Sequence, residues 1–551
     1  MGVIERRIGL LFAVFLSLLL AGAAKAAWLG VIKRGTLKRA AVTQQQADIT
    51  VPARRGAITD SHGIELAVSQ PAVDVAATPY LIKDAPKAAA KLARILGRPE
   101  DELLRQLARR DTGFAYLARR VPAATADRAE KLHIDGLEFI PQYRRRYPRD
   151  WMASQLLGSV GTDGQGLSGL EYSLDRRLRG RDGERRLVKD ALGQSISMRD
   201  TTPERPGSSV RLTLDANLQD EAEQALADVG RTWQPKGATA IVMDPRDGSI
   251  LALANWPQVN ANAPGAAPDY AREDRATGAT YEPGSTFKAF TVAAALENHE
   301  VTPDTEFDLP PVLQVADRQI HDAEGHGYVT YSTREILKYS SNIGAVMIGE
   351  RVGRTQLDRW IRRFGFGKPT GVDIPGEEAG IMLPLARWSD STIGNVPIGQ
   401  GIAVTPMQMA AAYAAIANGG ILRPPHIVES IGGQRIRRPA GHRVISEATA
   451  ATLRSMLEGV LGPGGTASGA AIRGYDLAGK TGTAQKPIPG GYSKDKYVGS
   501  FVGFAPAQHP KLLAAVMVDE PRGQIYGGEV AAPAWRQITS FALNYLKIPP
   551  G

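Results

Sequence analysis

A serine and a lysine three residues apart, Ser285 and Lys288, have the types and spacing that nucleophilic acyl transfer requires. Pro283 and Gly284 predict a turn before them, and the apolar run after Thr286 predicts a buried helix whose first turn holds the serine. Because residues three apart on a helix share a face, we expect the lysine amine beside the serine hydroxyl. A lysine can deprotonate a serine only if burial or a second cation lowers its pKa. The helix N-terminus would supply N–H donors where negative charge develops.

Two further motifs make the functional interpretation of this pair specific. Ser-x-x-Lys alone most often marks an ordinary helix start. Ser340-Ser341-Asn342 and then Lys480-Thr481-Gly482-Thr483 follow in the chain. Taken alone, Ser-Ser-Asn would most often be a plain helix cap. In this order and over this length, the three motifs resemble the active site of the penicillin-binding proteins and serine β-lactamases.

The resemblance implies a role for each polar group. Ser285 would be the nucleophile and Lys288 its base, while Ser340 would pass a proton towards the leaving amine. Asn342 would bond Lys288 and the substrate backbone. Lys480 would lie opposite Lys288. Its positive charge would disfavour the charged form of Lys288 and so help Lys288 to act as a base. The resemblance thus assigns catalysis to Ser285, Lys288, Ser340, Asn342 and Lys480, and substrate binding to Thr481, Gly482 and Thr483.

The Lys-Thr-Gly segment reads as an edge strand on which Gly482 lets a substrate approach the backbone closely. The resemblance makes the N–H groups of Thr483 and Ser285 the oxyanion hole, and the hydroxyls of Thr481 and Thr483 the holders of the substrate carboxylate. It requires no cofactor and no metal. The eight histidines show no metal-binding spacing, and we read His321 and His326 as surface or loop residues before the Ser340 helix.

The same segment has a competing interpretation. Gly474 to Thr481 matches Gly-x-x-x-x-Gly-Lys-Thr, the phosphate loop of nucleotide hydrolases. A phosphate loop needs an apolar strand before it and a helix after it. Residues 471–473 do not form such a strand, and Gly482, Pro487 and Pro489 disfavour the helix. The context therefore argues against nucleotide hydrolysis.

Size and charge narrow the class of protein. The 551 residues with 43% hydrophobic content suffice for two or three cores, and the net charge of +9 permits nucleic acid, an anionic membrane surface or an anionic polymer as partner. Low aromatic content and the lack of a concentrated basic helix argue against nucleic acid. The arginine-rich segment 176–186 reads as a solvated face. With no cysteine, thiol catalysis, disulfides and zinc–thiolate sites are excluded.

The N-terminus carries an apolar segment. The stretch from Ile8 to Ala24 is free of charge, and a snorkelling Lys25 would let it extend to Ile32, approaching the roughly 30 Å of a bilayer core. We expect a retained single-pass anchor over residues 8–32 after a short cytoplasmic tail, residues 1–7. A cleaved signal peptide is the alternative, because small residues surround Ala21 to Ala27. Basic residues on both sides leave the orientation to be inferred from the substrate.

Between the anchor and the first motif, several segments resemble the non-catalytic pedestal of class B penicillin-binding proteins. They are Arg54 to Ala67, with Ser61 where the family usually has arginine, Arg144 to Pro148, and Gly166 to Glu171. The turn-forming stretch Thr201 to Gly207 predicts the boundary, giving a pedestal (dimerisation-type) domain of residues 33–206 and a transpeptidase domain of residues 207–551.

The predicted fold class is α+β, an antiparallel sheet with flanking helices preceded by the pedestal and one transmembrane helix. Val210 to Leu214 reads as a strand and Asp215 or Asn217 as the cap of the next helix. Ala238 to Met243 and Ser249 to Ala254 read as a β-hairpin. A long apolar helix is expected from Met407 to Ala417.

The resemblance implies a peptidoglycan D,D-transpeptidase anchored in the cell membrane with its catalytic domain outside the cytoplasm, and a target of β-lactams. Its substrates would be a D-Ala-D-Ala donor stem peptide and an amine acceptor, and its partners a polytopic glycan polymerase and other divisome membrane proteins. Within the family, segments such as Tyr281 to Gly284 look more like the septal enzyme than the elongation enzyme. The alternatives are an elongation-specific transpeptidase, a β-lactamase or D,D-carboxypeptidase, and a non-catalytic divisome scaffold.

Overall fold

The computed structural model describes residues 2–32, 46–189 and 195–550. The chain forms two compact units, each assembled from separate stretches of sequence, and they are described here one at a time. The second unit includes residues 55–71 and 144–179, which the sequence analysis assigned to the pedestal. The domain boundary between residues 206 and 207 stays a prediction. The first unit holds residues 1–54, 72–143 and 180–207, and the second holds 55–71, 144–179 and 208–551.

The N-terminal helix runs from Gly2 to Ala27 and continues as a π-helical turn, Trp28–Ile32. Within it, Arg6–Ala27 is long and apolar enough to cross a membrane, since 22 residues span about 33 Å at about 1.5 Å each. This fits the predicted single-pass anchor.

The rest of the first unit pairs short helices with strands. Helix Ala85–Leu96 begins at Asp84, whose carboxylate accepts a hydrogen bond from the Lys87 N–H at 3.0 Å. The buried side chains of Leu92 and Leu103 then pack in one core with those of nearby strands. The apolar faces of these helices are therefore buried in a shared core. The other elements are helices Glu100–Leu107 and Ala123–Glu130, strand Ala115–Pro122 paired with the Ala72–Ala77 end of its neighbour, and a sheet of Gln46–Val51, Gly183–Lys189 and Ser195–Thr202.

A buried ion cluster organises the N-terminal segments of the second unit. The Glu171 side chain is completely buried and accepts hydrogen bonds from Arg55 Nε and Arg145 Nε, each at 2.6 Å. Arg55 also donates to Asp175 at 2.5 Å. Three segments that the sequence analysis grouped by resemblance therefore meet at one carboxylate.

Replacing Glu171 by alanine is expected to lower the free energy of unfolding by about 3–5 kcal/mol, because two guanidinium groups would lose their buried counter-charge. The measurement is denaturant unfolding of the full chain. Asp135→Ala is the control, because its ion pair with Lys83 is exposed, and it should leave the midpoint nearly unchanged. Equal midpoints for the two variants would contradict the role given to the cluster.

The core of the second unit is a five-stranded antiparallel sheet with helices on both faces. Along the inner strands, successive side chains alternate between two hydrophobic clusters: Ile241 and Met243 belong to one, and Ala240 and Val242 to the other. The predicted hairpin is confirmed, and the Lys-Thr-Gly strand lies at the sheet edge as expected. The strand order is Ile250–Trp256, Gly237–Met243, Leu512–Asp519, Gly491–Ala505, Ala478–Ile488.

Two groups of helices cover this sheet. Helix Ala216–Trp233 begins at Asp215, which accepts from the N–H groups of Asn217 and Leu218, so Asp215 is the cap. It packs on one face with Ala532–Tyr545. On the other face lie Lys288–Glu297 and Pro406–Ala417. The remaining helices of this unit are Ser154–Leu157, Gly169–Ser173, Asp175–Leu178, Arg275–Gly278, Thr333–Tyr339, Asn342–Val352, Arg354–Arg363, Glu447–Glu458 and Gly527–Val530.

The other strands of the chain are short or join elements outside the central sheet. Val210–Leu212 is a strand, as predicted, but it ends two residues before Leu214. The others are Ile58–Thr59, Glu65–Ala77, Leu137–Arg146, Glu306–Leu309, Leu313–Val315, Arg318–Ile320, Val329–Ser332, Ile421–Leu422, Val428–Ile431, Gln434–Arg435 and His442–Arg443. The mixture of helices and antiparallel strands confirms the predicted α+β class.

Candidate active site

Ser285 lies on a 3₁₀ turn, Gly284–Phe287, which runs directly into the α-helix Lys288–Glu297. The helix is buried on every side, and aromatic rings fix its start: Phe287 and Phe290 lie 5.4 Å apart and both contact Phe366. Ser285 is half-buried within this otherwise buried turn. The expected position of the serine at the start of a buried helix is confirmed, with a 3₁₀ rather than an α-helical first turn.

The edge strand Ala478–Ile488 packs directly against this serine turn. A Cβ on Gly482 would lie 2.8 Å from the Pro283 carbonyl oxygen, and a Cβ on Gly284 would lie 2.7 Å from the Thr483 carbonyl oxygen. Such distances leave no room for side chains, so both glycines permit a close backbone approach. The backbone of the Lys-Thr-Gly motif is therefore adjacent to the turn that carries Ser285.

Ser340 lies between two helices rather than within one. It follows Thr333–Tyr339 with a left-handed φ of +61°, and Ser341 then caps Asn342–Val352 through the Gly344 N–H at 2.9 Å. The Ser340 helix expected from the sequence is therefore two helices, and Ser340 lies at the break between them. The strained backbone turns the Ser340 hydroxyl and carbonyl towards the lysines.

Both lysines are fully buried and share Ser340 Oγ. Lys288 Nζ donates to it at 3.3 Å and Lys480 Nζ donates to it at 2.9 Å. Lys288 also donates to the Ser340 carbonyl and, at 2.7 Å, to Asn342 Oδ1. In the part of the chain that the structure describes, Ser285 Oγ is not among the acceptors of Lys288. The motifs therefore converge, with Lys288 bonded to the second motif and placed one turn after the serine.

Burial lowers the pKa of the Lys288 ammonium to about 7, and the charge of Asp322 acts in the opposite direction. Burial also lowers the pKa of Lys480 well below its ordinary value, assisted by the charge of Lys288. Of the two causes considered from the sequence, burial and a second cation, burial is the one that lowers the Lys288 pKa. A neutral amine at position 288 is accessible near neutral pH and can accept a proton.

The threonines of the edge strand have partners of their own. Thr481 Oγ1 receives a hydrogen bond from Lys480 Nζ at 3.2 Å and lies 2.9 Å from Thr466 Oγ1. Thr483 Oγ1 accepts from the Gly527 N–H at 3.0 Å. Of the two hydroxyls that the resemblance assigns to a substrate carboxylate, that of Thr481 thus contacts Lys480, and that of Thr483 contacts the Gly527 backbone.

Asp322 supports the second motif, and sequence reasoning missed it. Its Oδ1 accepts from the N–H groups of Asn342 and Ile343, and its Oδ2 lies 3.0 Å from His326 Nε2. The His321 carbonyl accepts from Asn342 Nδ2 at 2.8 Å. The loop with the two histidines thus holds Asn342 through one carboxylate and one carbonyl. An aspartate 20 residues before its partner has no spacing that would have marked it.

The phosphate-loop interpretation is wrong. Gly479, Lys480 and Thr481 lie in the middle of strand Ala478–Ile488 and pair with residues of Gly491–Ala505. No helix follows Thr481 to present its N-terminus to a phosphate. Among the described residues, no group of three or more histidine, cysteine, aspartate or glutamate side chains has a geometry for a metal ion.

Comparison with known proteins places this geometry in a family. Residues 238–540 match the penicillin-binding protein transpeptidase domain, and residues 50–212 match the penicillin-binding protein dimerisation domain. The chain belongs to the class B penicillin-binding proteins. Both parts of the predicted fold, the transpeptidase domain and the dimerisation domain before it, are thereby confirmed.

Individual relatives are similar to this chain over most of their length. The chain is 33% identical over 508 residues to the probable peptidoglycan D,D-transpeptidase PenA of Neisseria meningitidis, covering 91% of this chain and 86% of the relative. It is 33% identical over 534 residues to peptidoglycan D,D-transpeptidase FtsI of Escherichia coli, covering 96% and 89%. The crystal structure of penicillin-binding protein 3 of Mycobacterium tuberculosis with aztreonam superposes with a TM-score of 0.71 at 30% identity, covering 91% and 98%.

Proposed function

We propose that this class B penicillin-binding protein is a serine D-Ala-D-Ala transpeptidase that cross-links peptidoglycan stem peptides. The observation that supports this most strongly is the sharing of Ser340 Oγ by two buried lysines beside the Ser285 turn. The crevice thus contains a nucleophile, Ser285, a base of lowered pKa, Lys288, and a proton relay, Ser340. The naming of relatives in Neisseria and Escherichia as peptidoglycan D,D-transpeptidases agrees with it.

In the first half of the reaction, neutral Lys288 takes the Ser285 proton as the oxygen attacks the carbonyl carbon of the penultimate D-alanine. The N–H groups of Ser285 and Thr483 stabilise the oxyanion, each contributing about 10²- to 10³-fold. Ser340 accepts hydrogen bonds from both lysines, so its own proton is free to reach the leaving amine. The C–N bond breaks, D-alanine leaves with that proton, and an ester to Ser285 remains. Lys288 then passes the proton that it took from Ser285 to Ser340 Oγ, to which it is hydrogen-bonded, so both groups return to their starting protonation states.

In the second half, the amine of a neighbouring stem peptide attacks this ester. Its proton passes through Ser340 to the lysine pair and then to Ser285, and a new amide bond forms as the serine leaves. Asn342 orients Lys288 and the peptide backbone, while Thr481 and Thr483 bind the terminal carboxylate against the edge strand at Gly482. A β-lactam carries out only the first half, because its opened ring stays attached and blocks the acceptor.

The cellular setting follows from the N-terminal helix and the substrate. We propose that the helix anchors the chain in the cell membrane with residues 207–551 as an extracytoplasmic transpeptidase domain and residues 33–206 as the pedestal. A polytopic glycan polymerase and divisome membrane proteins are the proposed partners. The similarity to FtsI supports a septal role over elongation.

The test is muropeptide analysis after incubating the full chain with preformed glycan strands that carry D-Ala-D-Ala stem peptides. We expect cross-linked dimers, with one D-alanine released for each cross-link. Shortened monomers alone would indicate a carboxypeptidase, and turnover of penicillin within seconds would indicate a β-lactamase. Unchanged strands together with no penicillin adduct would favour a scaffold.

A further inference from the structure

Two hydroxyl groups of the edge strand, those of Thr481 and Thr483, accept hydrogen bonds from other parts of the protein. Thr483 Oγ1 accepts from the Gly527 N–H at 3.0 Å. Thr481 Oγ1 receives a hydrogen bond from Lys480 Nζ at 3.2 Å and has Thr466 Oγ1 at 2.9 Å. A hydroxyl has one proton and two acceptor positions. Each hydroxyl therefore has at least one acceptor position filled from within the protein.

Thr466 has an exposed side chain but lies on a loop whose backbone is held by a hydrogen bond to the protein core. The Ala467 N–H donates to the Val460 carbonyl at 2.9 Å, and both of these side chains are buried in the core on one face of the sheet. The Thr466 hydroxyl thus contacts Thr481 from a loop whose backbone is held in place. Such an arrangement loses little entropy when the hydroxyl is used.

We infer that Thr466 is a positioning residue for carboxylate recognition: its hydroxyl donates to Thr481 Oγ1 and thereby directs the Thr481 proton at the anionic terminus of the ligand. This inference rests on the proposed function. With an anion present, the Thr481 proton goes to the anion, because a hydrogen bond to a charged acceptor is the stronger one. Lys480 and Thr466 then fill the two acceptor positions of Thr481, which polarises its O–H bond further.

Thr483 has the equivalent arrangement with a backbone donor. The Gly527 N–H can only donate, so the Thr483 proton is left for the ligand. The Thr466 hydroxyl donates a hydrogen bond to Thr481 Oγ1, as the Gly527 N–H donates one to Thr483 Oγ1. The consequence is specific: loss of the Thr466 hydroxyl weakens recognition of a carboxylate and leaves the attack by Ser285 otherwise intact.

The experiment compares acylation of the full chain by benzylpenicillin, which has a carboxylate, and by its methyl ester, which has none. The second-order rate constant is followed by the intact mass of the acyl-enzyme. Thr466→Val should slow acylation by the acid by about three- to tenfold, the effect of one hydrogen bond, and leave that by the ester unchanged. Thr466→Ser should restore the rate for the acid. Ser468→Ala, an exposed serine on the same loop, is the matched control and should behave as wild type.

A double substitution separates positioning from direct contact. If Thr466 acts through Thr481, Thr466→Val should have no further effect in a Thr481→Val background. Equal slowing for acid and ester, additive effects, or no slowing at all would overturn the inference; Thr466→Ala gives the same readout if the valine variant does not fold. Acylation of the wild type at a residue other than Ser285 would instead refute the proposed function.

Discussion

Substituting Ser285 by alanine is expected to abolish covalent labelling of the chain by fluorescent penicillin, a loss of at least about a thousandfold in the acylation rate constant. The alanine cannot form the ester bond, and the rest of the crevice offers no replacement at the same position. Ser340 Oγ is occupied by both lysines, and it lies on a different element. The measurement is the time course of fluorescence on the denatured protein.

The control for this experiment is the fold of the variant. Ser285 is half-buried, and its side chain is small, so Ser285→Ala should unfold at nearly the same denaturant concentration as the wild type. Ser468→Ala should be labelled at the wild-type rate. Labelling that survives in a folded Ser285→Ala variant would assign the nucleophile to another residue.

Substituting Lys288 by methionine is expected to reduce acylation by about two to four orders of magnitude, the usual contribution of a general base. Methionine has a similar length and is apolar, so it suits a position that is completely buried. It removes the amine that bonds Ser340 and Asn342. The measurement is the second-order rate constant for benzylpenicillin at a fixed pH. A folded variant that is acylated at more than about a tenth of the wild-type rate would contradict the role of Lys288 as base.

The pH dependence of the wild type gives an independent check on the same group. Burial lowers the pKa of Lys288 to about 7, and only the neutral amine can accept the serine proton. The acylation rate should therefore be low below this pKa, rise as Lys288 loses its proton, and level off above it. The titratable groups near the amine include Lys480, whose own pKa is lowered by burial, and Asp322. The pKa of Asp322 lies below its ordinary range, so Asp322 stays ionised across this window. A rate that falls or stays constant through this range would contradict the assignment.

The sequence predicted the parts of the site that depend on local spacing. The turn before Ser285, the buried helix after it and the edge position of the Lys-Thr-Gly strand all follow from glycine, proline and apolar patterns over a few residues. The hairpin from Ala238 to Ala254 and a helix cap at Asp215 or Asn217 follow in the same way, and the structure shows that Asp215 is the cap. These features are local, so the chain encodes them within short windows.

The features that the sequence did not predict depend on contacts between distant residues. Ser340 adopts a left-handed backbone, which an isolated serine disfavours. It is bonded there by Lys288 and Lys480, which lie 52 and 140 residues away in sequence. Asp322 and Thr466 contact the motifs through hydrogen bonds that no periodicity marks. Which of the two considered causes, burial or a second cation, lowers the Lys288 pKa likewise depends on how completely the crevice closes around the amine.

The most direct test of the account is to locate the covalent adduct after the full-length wild-type chain reacts with benzylpenicillin. Protease digestion and tandem mass spectrometry identify the modified side chain. The account predicts a single penicilloyl ester, on Ser285, in the peptide that also contains Lys288. An adduct on Ser340, on Thr466 or on any residue outside the Ser285 turn, or no adduct at all, would contradict it.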